Sequence, residues 1–290
     1  MIPFKIWMLA ARPKTLVAVL CPILIGTTMA ASHGPLNPII FIFTLLTGLG
    51  IQISTNFCND YMDFLKGADT KERKGPIRVT QSGLVSIEAM KKACGITLLF
   101  TTLTGLILLW YGGIVIGLLL ALSLLLAVGY TAGPIPLAYK GLGDLFVFLF
   151  FGPIACLASY YLQTGSSSLA CNISGIAVGA FSTAILAVNN IRDIEEDQKS
   201  GKQTLAVRFG IVFGKTEYIL LLAIPAIITI VLGAEKPLLL ISLGYLIPAS
   251  QTAKTLLFTT DGSLLNRCLG DTGFILLLYT VCFCIGWIYT

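Results

Sequence analysis

The sequence has little charge and almost no histidine. Asp, Glu, Lys and Arg make up 11% of its 290 residues, whereas soluble domains average about 25%. So few ionisable side chains cannot cover a surface that faces water, which excludes a soluble globular protein, a disordered chain and a nucleic-acid-binding module. The one histidine, His33, falls in a short connection between apolar runs, which argues against histidine-based catalysis.

Paired metal-binding cysteines are absent as well. The eight cysteines form no C-x-x-C pair, and almost all of them lie within or at the ends of apolar runs. This pattern is not typical of a zinc site or a disulfide framework. We expect the cysteines to be buried as small hydrophobic side chains.

Long apolar runs dominate the sequence, and 56% of its residues are hydrophobic. Runs that can cross the roughly 30 Å hydrocarbon core of a bilayer predict transmembrane helices. Strands of a membrane barrel would alternate polar and apolar residues, and residues 114–128 show no alternation. We therefore predict an all-α integral membrane protein with one domain, residues 1–290. The nine predicted transmembrane helices cover residues 15–31, 38–59, 89–109, 114–132, 145–163, 170–191, 213–233, 238–253 and 270–289.

The distribution of Lys and Arg predicts the orientation of these helices. With the N-terminus in the cytoplasm, all of the 19 basic residues except Lys236 lie on the cytoplasmic side, as the positive-inside rule requires. The net charge of +5 then reflects orientation and does not indicate a nucleic-acid partner.

Two acidic motifs follow the second and the sixth predicted helix. Each contains Asn-x-x-x-Asp followed by another Asp three or four positions later, so its three side chains are expected on one face of a helix. Both preceding helices run from the outside to the cytoplasm, which places the motifs at the same depth on the same side. The first acidic motif (residues 56–63) and the second (residues 189–197) contain Asn56, Asp60, Asp63, Asn189, Asp193 and Asp197.

Carboxylate and amide oxygens are ligands that Mg2+ prefers, usually together with phosphate oxygens and water. Carboxylates alone would repel a phosphate, so a divalent cation has to bridge the two, and nearby basic side chains can hold the outer phosphate oxygens. We predict a Mg2+–diphosphate site at the cytoplasmic lip of a central cavity, suited to a lipid diphosphate. The alternative is a pair of solvated loops with no shared site. The basic candidates are Lys66, Arg73, Lys74, Arg78, Arg192 and Lys202.

Several segments resemble the UbiA superfamily of intramembrane aromatic prenyltransferases, which has nine helices and Asp-rich motifs after helices two and six. The matching segments are residues 11–15, the two acidic motifs, residues 75–83 (Gly-Pro-Ile-Arg-Val-Thr-Gln-Ser-Gly), residues 130–139 and residues 201–205. The chain is most similar to the branch that prenylates 1,4-dihydroxy-2-naphthoate in menaquinone synthesis. The 4-hydroxybenzoate branch usually has a third Asp closer to the first motif, whereas here it is delayed to Asp69.

The resemblance implies a Mg2+-dependent enzyme, with Mn2+ able to substitute, in the bacterial cytoplasmic (inner) membrane. It would transfer a polyprenyl group from polyprenyl diphosphate to 1,4-dihydroxy-2-naphthoate, with loss of CO2, to give demethylmenaquinone. The active site would face the cytoplasm. Beyond the two substrates and the lipid bilayer, we expect neither a nucleic acid nor an obligate protein partner.

The resemblance also assigns residues to roles. The implied metal ligands, of which the four Asp are also catalytic, are Asn56, Asp60, Asp63, Asn189, Asp193 and Asp197. The implied substrate-binding residues are Arg12, Lys14, Asn59, Lys66, Asp69, Arg73, Arg78, Tyr130, Tyr139, Asn190, Arg192 and Lys202.

Other functions are compatible with the sequence. A secondary transporter is the main alternative from another class, but transporters usually place ionisable residues near mid-membrane, whereas here the acids gather at one end of the helices. A CDP-alcohol phosphotransferase would need a D-G-x-x-A-R core, which the sequence lacks. Within the superfamily, enzymes that prenylate 4-hydroxybenzoate, and those of the haem and chlorophyll type, remain open.

Some candidate residues also have purely structural interpretations. Arg12 and Lys14 could extend their charged ends towards water from the first predicted helix. Tyr130 and Tyr139 could be anchors at the membrane interface. We expect Asp144 to end a helix rather than to contact a substrate.

Overall fold

The computed structural model describes residues 2–67, 74–131 and 136–290, and these residues form helices without any strand. The predicted all-α class is therefore confirmed for this part of the chain. The α-helices are α1 (Phe4–Ala11), α2 (Pro13–Ala31), α3 (Pro38–Leu65), α4 (Ile87–Gly129), α5 (Gly143–Leu149), α6 (Ala155–Thr164), α7 (Leu169–Arg192), α8 (Ile194–Lys199), α9 (Leu205–Gly233), α10 (Leu246–Phe258) and α11 (Gly262–Tyr289). Two 3-10 helices cover Leu137–Tyr139 and Pro237–Tyr245, and a π-helical turn, Phe150–Ile154, joins α5 to α6.

Within the described residues, seven stretches are long and apolar enough to cross a membrane. They are α2, α3, α4, the unit Gly143–Thr164 that contains α5 and α6, α7, α9 and α11. Six of them match one predicted helix each, and α4 covers most of two, residues 89–109 and 114–132. The chain thus has the apolar helices of an integral membrane protein, while the count of nine and the orientation stay predictions.

Helix α4 is a hairpin of two arms. Its 43 residues would extend about 64 Å if straight, twice the thickness of a bilayer core. At Gly113 the backbone has φ 63° and ψ −161°, which breaks the helix. A Cβ atom at Gly105 would lie 2.5 Å from the side chain of Leu120, and one at Gly117 would lie 2.6 Å from Leu109. Contacts between such distant positions require the two arms to run antiparallel, so α4 supplies two neighbouring segments.

The eighth predicted helix, residues 238–253, is not a continuous α-helix. Its first part is the 3-10 helix Pro237–Tyr245, and α10 continues the path. This 3-10 helix packs against both α9 and α11. A Cβ atom at Gly286 of α11 would come within 2.7 Å of the carbonyl oxygen of Leu238, so the two backbones touch. The segment is therefore part of the bundle.

Helix α7 is the most buried of the seven stretches, and its glycines let the kinked unit Gly143–Thr164 approach closely. A Cβ atom at Gly179 would lie 2.4 Å from the carbonyl oxygen of Phe148, and one at Gly175 would lie 2.5 Å from the Cα atom of Pro153. Proline cannot donate a backbone hydrogen bond, and the π-helical turn absorbs the resulting kink. This contact brings the start of α5 beside the end of α7.

Two groups of packed apolar side chains form much of the core. One group joins α2, α7, α9 and α11, and it includes Phe181 and Tyr279 with ring centroids 5.1 Å apart. The other joins α1, α3 and the start of α4 around Phe57 and Met90. A cavity next to the core is lined mainly by residues of α2 to α7 and their connections.

The hairpin of α4 generates a stability prediction. The φ and ψ of Gly113 fall in a region that is accessible essentially to glycine alone, so Gly113→Ala should lower the free energy of unfolding by about 1–3 kcal/mol. Thermal unfolding of the detergent-solubilised protein measures the change. Gly95→Ala is the matched control, because Gly95 lies in the same helix with open space around it. Equal stability of the two variants would contradict the role of Gly113.

Candidate active site

The cavity has a volume of about 600 Å³ and is polar at one end and apolar at the other. Its apolar end lies between α3, α6 and the two arms of α4, where Leu108, Ile116 and Leu162 line it. Its polar end lies where α3 and α7 terminate. Side chains of both acidic motifs line this polar end, and they are Asn56, Asn59, Asp63, Asn189, Asn190, Arg192, Asp193 and Asp197.

The first acidic motif faces the cavity in a register that differs from the expected one. Asn56, Asn59 and Asp63 line the cavity, whereas Asp60 does not. The carboxylate of Asp60 is buried on another side of α3, where it accepts hydrogen bonds from the backbone N–H groups of Val79 at 3.3 Å and Thr80 at 2.9 Å. Asp60 therefore does not line the cavity with Asn56 and Asp63, whereas its part in holding the metal stays a prediction. Asp60 instead fixes the loop that carries Arg78.

The carboxylate of Asp63 contacts three other side chains. One carboxylate oxygen contacts the Arg78 guanidinium at 3.4 Å and the Lys202 ammonium at 3.2 Å. The other accepts a hydrogen bond from the Tyr139 hydroxyl at 3.1 Å. Tyr139 thus has a partner inside the protein and is not simply an interfacial anchor. The carboxylate itself is buried, so these contacts compensate for the loss of water.

Lys202 connects the two acidic motifs. Its ammonium lies 3.2 Å from Asp63 and 3.9 Å from Asp197, and its backbone N–H donates to the carbonyl oxygen of Asp197 at 2.9 Å. The two motifs are 134 residues apart between these two acids, yet their carboxylates share one cation.

The second acidic motif spans a break between helices. Helix α7 ends at Arg192, Asp193 leaves the helical conformation with φ −99° and ψ 10°, and α8 then begins. The Arg192 guanidinium contacts both carboxylate oxygens of Asp193 at 2.6 Å and the side-chain oxygen of Asn189, also at 2.6 Å. Arg192 was predicted to bind phosphate, but in this structure it holds the motif together.

Asn266 of α11 is a site residue that the sequence did not indicate. Its side-chain oxygen accepts a hydrogen bond from Arg192 at 2.7 Å, and its side-chain nitrogen donates to the Lys74 carbonyl oxygen at 2.9 Å. The Lys74 backbone N–H in turn donates to Glu196 at 2.7 Å. An amide on the eleventh helix thereby joins the second acidic motif to the loop between α3 and α4. No local pattern around Asn266 marks this contact.

Lys74 adds an exposed ion pair to this connection. Its ammonium lies 2.9 Å from the carboxylate of Glu195. The hydrogen bond between them raises the pKa of Lys74 and lowers the pKa of Glu195. Because both side chains are exposed, the pair adds little stability. Lys74 therefore acts here mainly through its backbone.

Other predicted residues support the rim of the cavity. The Asn56 side chain donates to the Ala11 carbonyl oxygen at 2.9 Å, which ties α3 to the junction of α1 and α2. Arg12 forms that junction in a left-handed conformation. Thr131 is hydrogen-bonded to both Asn59 and Lys66. The predicted residues that line the cavity on this rim are Arg12, Lys14, Arg78, Tyr130 and Lys202.

Three further predicted substrate-binding residues are Lys66, Asp69 and Arg73. Lys66 does not line the cavity, and its ammonium lies over the ring of Tyr139 at 4.3 Å from the centroid. Asp69 and Arg73 lie outside the residues that the structure describes.

Asp144 lies at a helix end and also lines the cavity. It stands in the first turn of α5, where it is buried and lines the cavity. One of its carboxylate oxygens accepts a hydrogen bond from the side chain of Asn190 at 3.2 Å. Asp144 thus lies at a helix end, as expected, and its side chain also forms part of the cavity wall.

The donor set fits a divalent cation that binds together with a phosphate. Among the described residues, no three His, Cys, Asp or Glu side chains form a ready-made metal group. The carboxylates of Asp63 and Asp197 nevertheless lie close enough to share the Lys202 ammonium. Mg2+ typically uses one or two carboxylates and completes its octahedron with water and phosphate oxygens. These acids can therefore supply the protein's part of such a site.

The contacts of Asp60 generate a prediction about the loop between α3 and α4. Asp60→Ala leaves the N–H groups of Val79 and Thr80 without their acceptor, and an unpaired buried donor costs about 1–3 kcal/mol. Hydrogen–deuterium exchange at these two amides should therefore become about tenfold faster or more. Asp271→Ala removes an exposed acid of α11 and serves as the control with unchanged exchange. Unchanged exchange in Asp60→Ala would refute the role of Asp60 in holding the loop.

Residues 19–278 match the UbiA prenyltransferase family. A 1,4-dihydroxy-2-naphthoate octaprenyltransferase from Escherichia coli is 38% identical over 213 residues, which cover 70% of this chain and 68% of that one. Another 1,4-dihydroxy-2-naphthoate octaprenyltransferase, from Mycobacterium tuberculosis, is 32% identical and covers 97% of this chain and 96% of its own.

The fold also has solved relatives. A UbiA homologue from Archaeoglobus fulgidus, bound to GPP and Mg2+, superposes with a TM-score of 0.60 at 15% identity, covering 98% of this chain and 100% of that chain. At this identity the likeness concerns the fold, and it extends over nearly the whole of both chains.

Proposed function

The chain belongs to the UbiA prenyltransferase family, and from this we propose that it transfers a polyprenyl group from polyprenyl diphosphate to 1,4-dihydroxy-2-naphthoate. The bond from the ring to its carboxylate breaks as CO2 leaves, and the product is the quinol form of demethylmenaquinone, an intermediate of menaquinone biosynthesis. The observation that carries the proposal is one cavity with acids and cations at its polar end and apolar walls behind them. The relatives named 1,4-dihydroxy-2-naphthoate octaprenyltransferases support the choice of acceptor. Membership of an enzyme family removes the transporter alternative.

The proposed setting is the bacterial cytoplasmic membrane, with nine transmembrane segments and the polar end of the cavity facing the cytoplasm. Of the seven apolar stretches in the described residues, α4 supplies two arms and each of the others supplies one segment. The packed segment of residues 237–258 is the ninth. The concentration of Lys and Arg near the polar end supports the orientation.

For the diphosphate, we propose that Asp63, Asp193 and Asp197 hold Mg2+, or Mn2+ in its place, with Asn56 and Asn189 nearby. When bound, the ion neutralises the diphosphate and stabilises it as a leaving group. Lys202 and Arg78 both contact Asp63, and both line the cavity. They can exchange this carboxylate for phosphate oxygens when a substrate enters.

The walls of the cavity determine the fate of the prenyl group. The allylic C–O bond breaks, and its electron pair leaves with the diphosphate. The apolar lining excludes water, which would otherwise capture the allylic cation. Phe146 and Phe150 line this part of the cavity with centroids 6.1 Å apart, and aromatic faces stabilise a nearby cation. The electron-rich ring of the acceptor then attacks the allylic carbon.

The choice of acceptor is tested directly. The purified protein, given a prenyl diphosphate and Mg2+, should consume 1,4-dihydroxy-2-naphthoate with a kcat/KM about tenfold or more above that of 4-hydroxybenzoate. A preference for 4-hydroxybenzoate would refute the proposed acceptor while leaving prenyl transfer intact. No transfer to any aromatic acceptor would refute the proposed reaction.

The diphosphate site is tested by removing its central charge. Asp63→Asn keeps the size of the side chain but loses the charge that balances Mg2+, Arg78 and Lys202, so kcat should fall about 100-fold or more. Activity of the native protein should also disappear in excess chelator and return with Mg2+. Asp271→Asn, at an exposed acid of the same charge, is the matched control. Activity of Asp63→Asn within twofold of the native protein would exclude Asp63 from the site.

A further inference from the structure

Asp144 is an acid of the cavity that neither acidic motif includes. Among the described residues that line the cavity, the other acids are Asp63, Asp193 and Asp197. Asp144 is only 6% exposed. A buried carboxylate is costly unless hydrogen bonds compensate for the lost water, and Asn190 of α7 supplies one of them at 3.2 Å.

The position of Asp144 corresponds to the depth at which the prenyl group reacts. Its partner Asn190 lies on α7, three residues before Asp193, which follows the end of that helix. Three helical residues rise about 4.5 Å along the axis, so Asn190 lies that much deeper than Asp193. The reactive allylic carbon is joined to the diphosphate by a single C–O bond, and an attacking ring carbon has to approach to about 3–3.5 Å. The acceptor ring must therefore lie within about one helical turn of the diphosphate site.

The chemistry of Asp144 selects one of the molecules that enter the cavity. A carboxylate repels a diphosphate, and a prenyl chain has no hydrogen-bond donor to offer it. A dihydroxylated aromatic acceptor carries hydroxyl groups, which are good donors to a carboxylate. The Tyr130 hydroxyl also lies at this level, since a Cβ atom at Gly143 would be 3.0 Å from it. The acceptor's own carboxylate would face the basic residues of the rim instead.

We propose that Asp144 accepts a hydrogen bond from a ring hydroxyl of the aromatic acceptor and thereby orients the ring towards the allylic carbon. Asn190 holds the carboxylate in place from α7. This inference rests on the proposed function, because it needs a hydroxylated ring as the acceptor. It makes Asp144 a specificity residue for the acceptor and gives it no part in binding the metal.

The first test separates the two substrates kinetically. A hydrogen bond to a charged group typically changes affinity by about 10- to 100-fold, so Asp144→Asn should raise the KM for 1,4-dihydroxy-2-naphthoate by that factor. The KM for the prenyl diphosphate and the Mg2+ concentration for half-maximal activity should stay within about twofold. Asp271→Asn is the matched control, because Asp271 is an acid of α11 that does not line the cavity and pairs with Arg267.

The second test begins with the native protein, so that its first comparison does not depend on how the variant folds. 1-Hydroxy-2-naphthoate and 4-hydroxy-2-naphthoate, each lacking one hydroxyl, are measured as competitors of the acceptor. One of them should inhibit about tenfold more weakly than the other, and Asp144→Asn should abolish this difference.

The outcomes separate this inference from the proposed function. If the native protein does not prenylate the dihydroxynaphthoate, the proposed function fails. If it does, but the two competitors inhibit equally or Asp144→Asn leaves the acceptor KM unchanged, the role of Asp144 fails alone. A shift of the Mg2+ requirement in Asp144→Asn, with no change in acceptor KM, would assign Asp144 to the metal site instead.

Discussion

The ammonium of Lys202 is the contact on which the polar end of the cavity depends. It lies between Asp63 at the end of α3 and Asp197 in α8. Two carboxylates that approach each other in a medium of low dielectric constant repel strongly, and a shared cation removes that repulsion. The side chains of two distant segments can therefore form one rim. Arg192 has the same effect within the second motif, where it neutralises Asp193.

This arrangement explains why a divalent cation and a diphosphate would enter the site together. In the described part of the chain, the acids of the cavity already have cationic or amide partners. On the proposed assignment, Mg2+ would replace Lys202 at the carboxylates, and the diphosphate would give the displaced ammonium a new partner. The exchange needs little more than the movement of long side chains, because Asp60 holds the backbone of the loop at Val79 and Thr80. Metal and substrate affinity are thereby linked without a change of fold.

The sequence was informative where a signal is local. Apolar runs bounded by charges located the helices, and the paired motifs located the polar end of the cavity. The register of the first motif could not be predicted, because Asn59 and Asp60 are only about 100° apart on α3 and packing against neighbouring helices decides which one faces the cavity. The place of Asp144 on the cavity wall could not be predicted, because it depends on the close contact of α5 with α7 at Gly179. Asn266 was missed because its two partners are distant in sequence and leave no local pattern.

The contribution of Asn266 has a consequence for the biogenesis of the protein. The bond from this side chain to Arg192 comes from α11, which is the last of the described helices to be synthesised and inserted into the bilayer. Until the ribosome has released that segment, the second motif lacks one of its supports, and the loop at Lys74 lacks one of its anchors. The nascent chain can bury its earlier helices in lipid, but it assembles a complete rim only after α11 has been made.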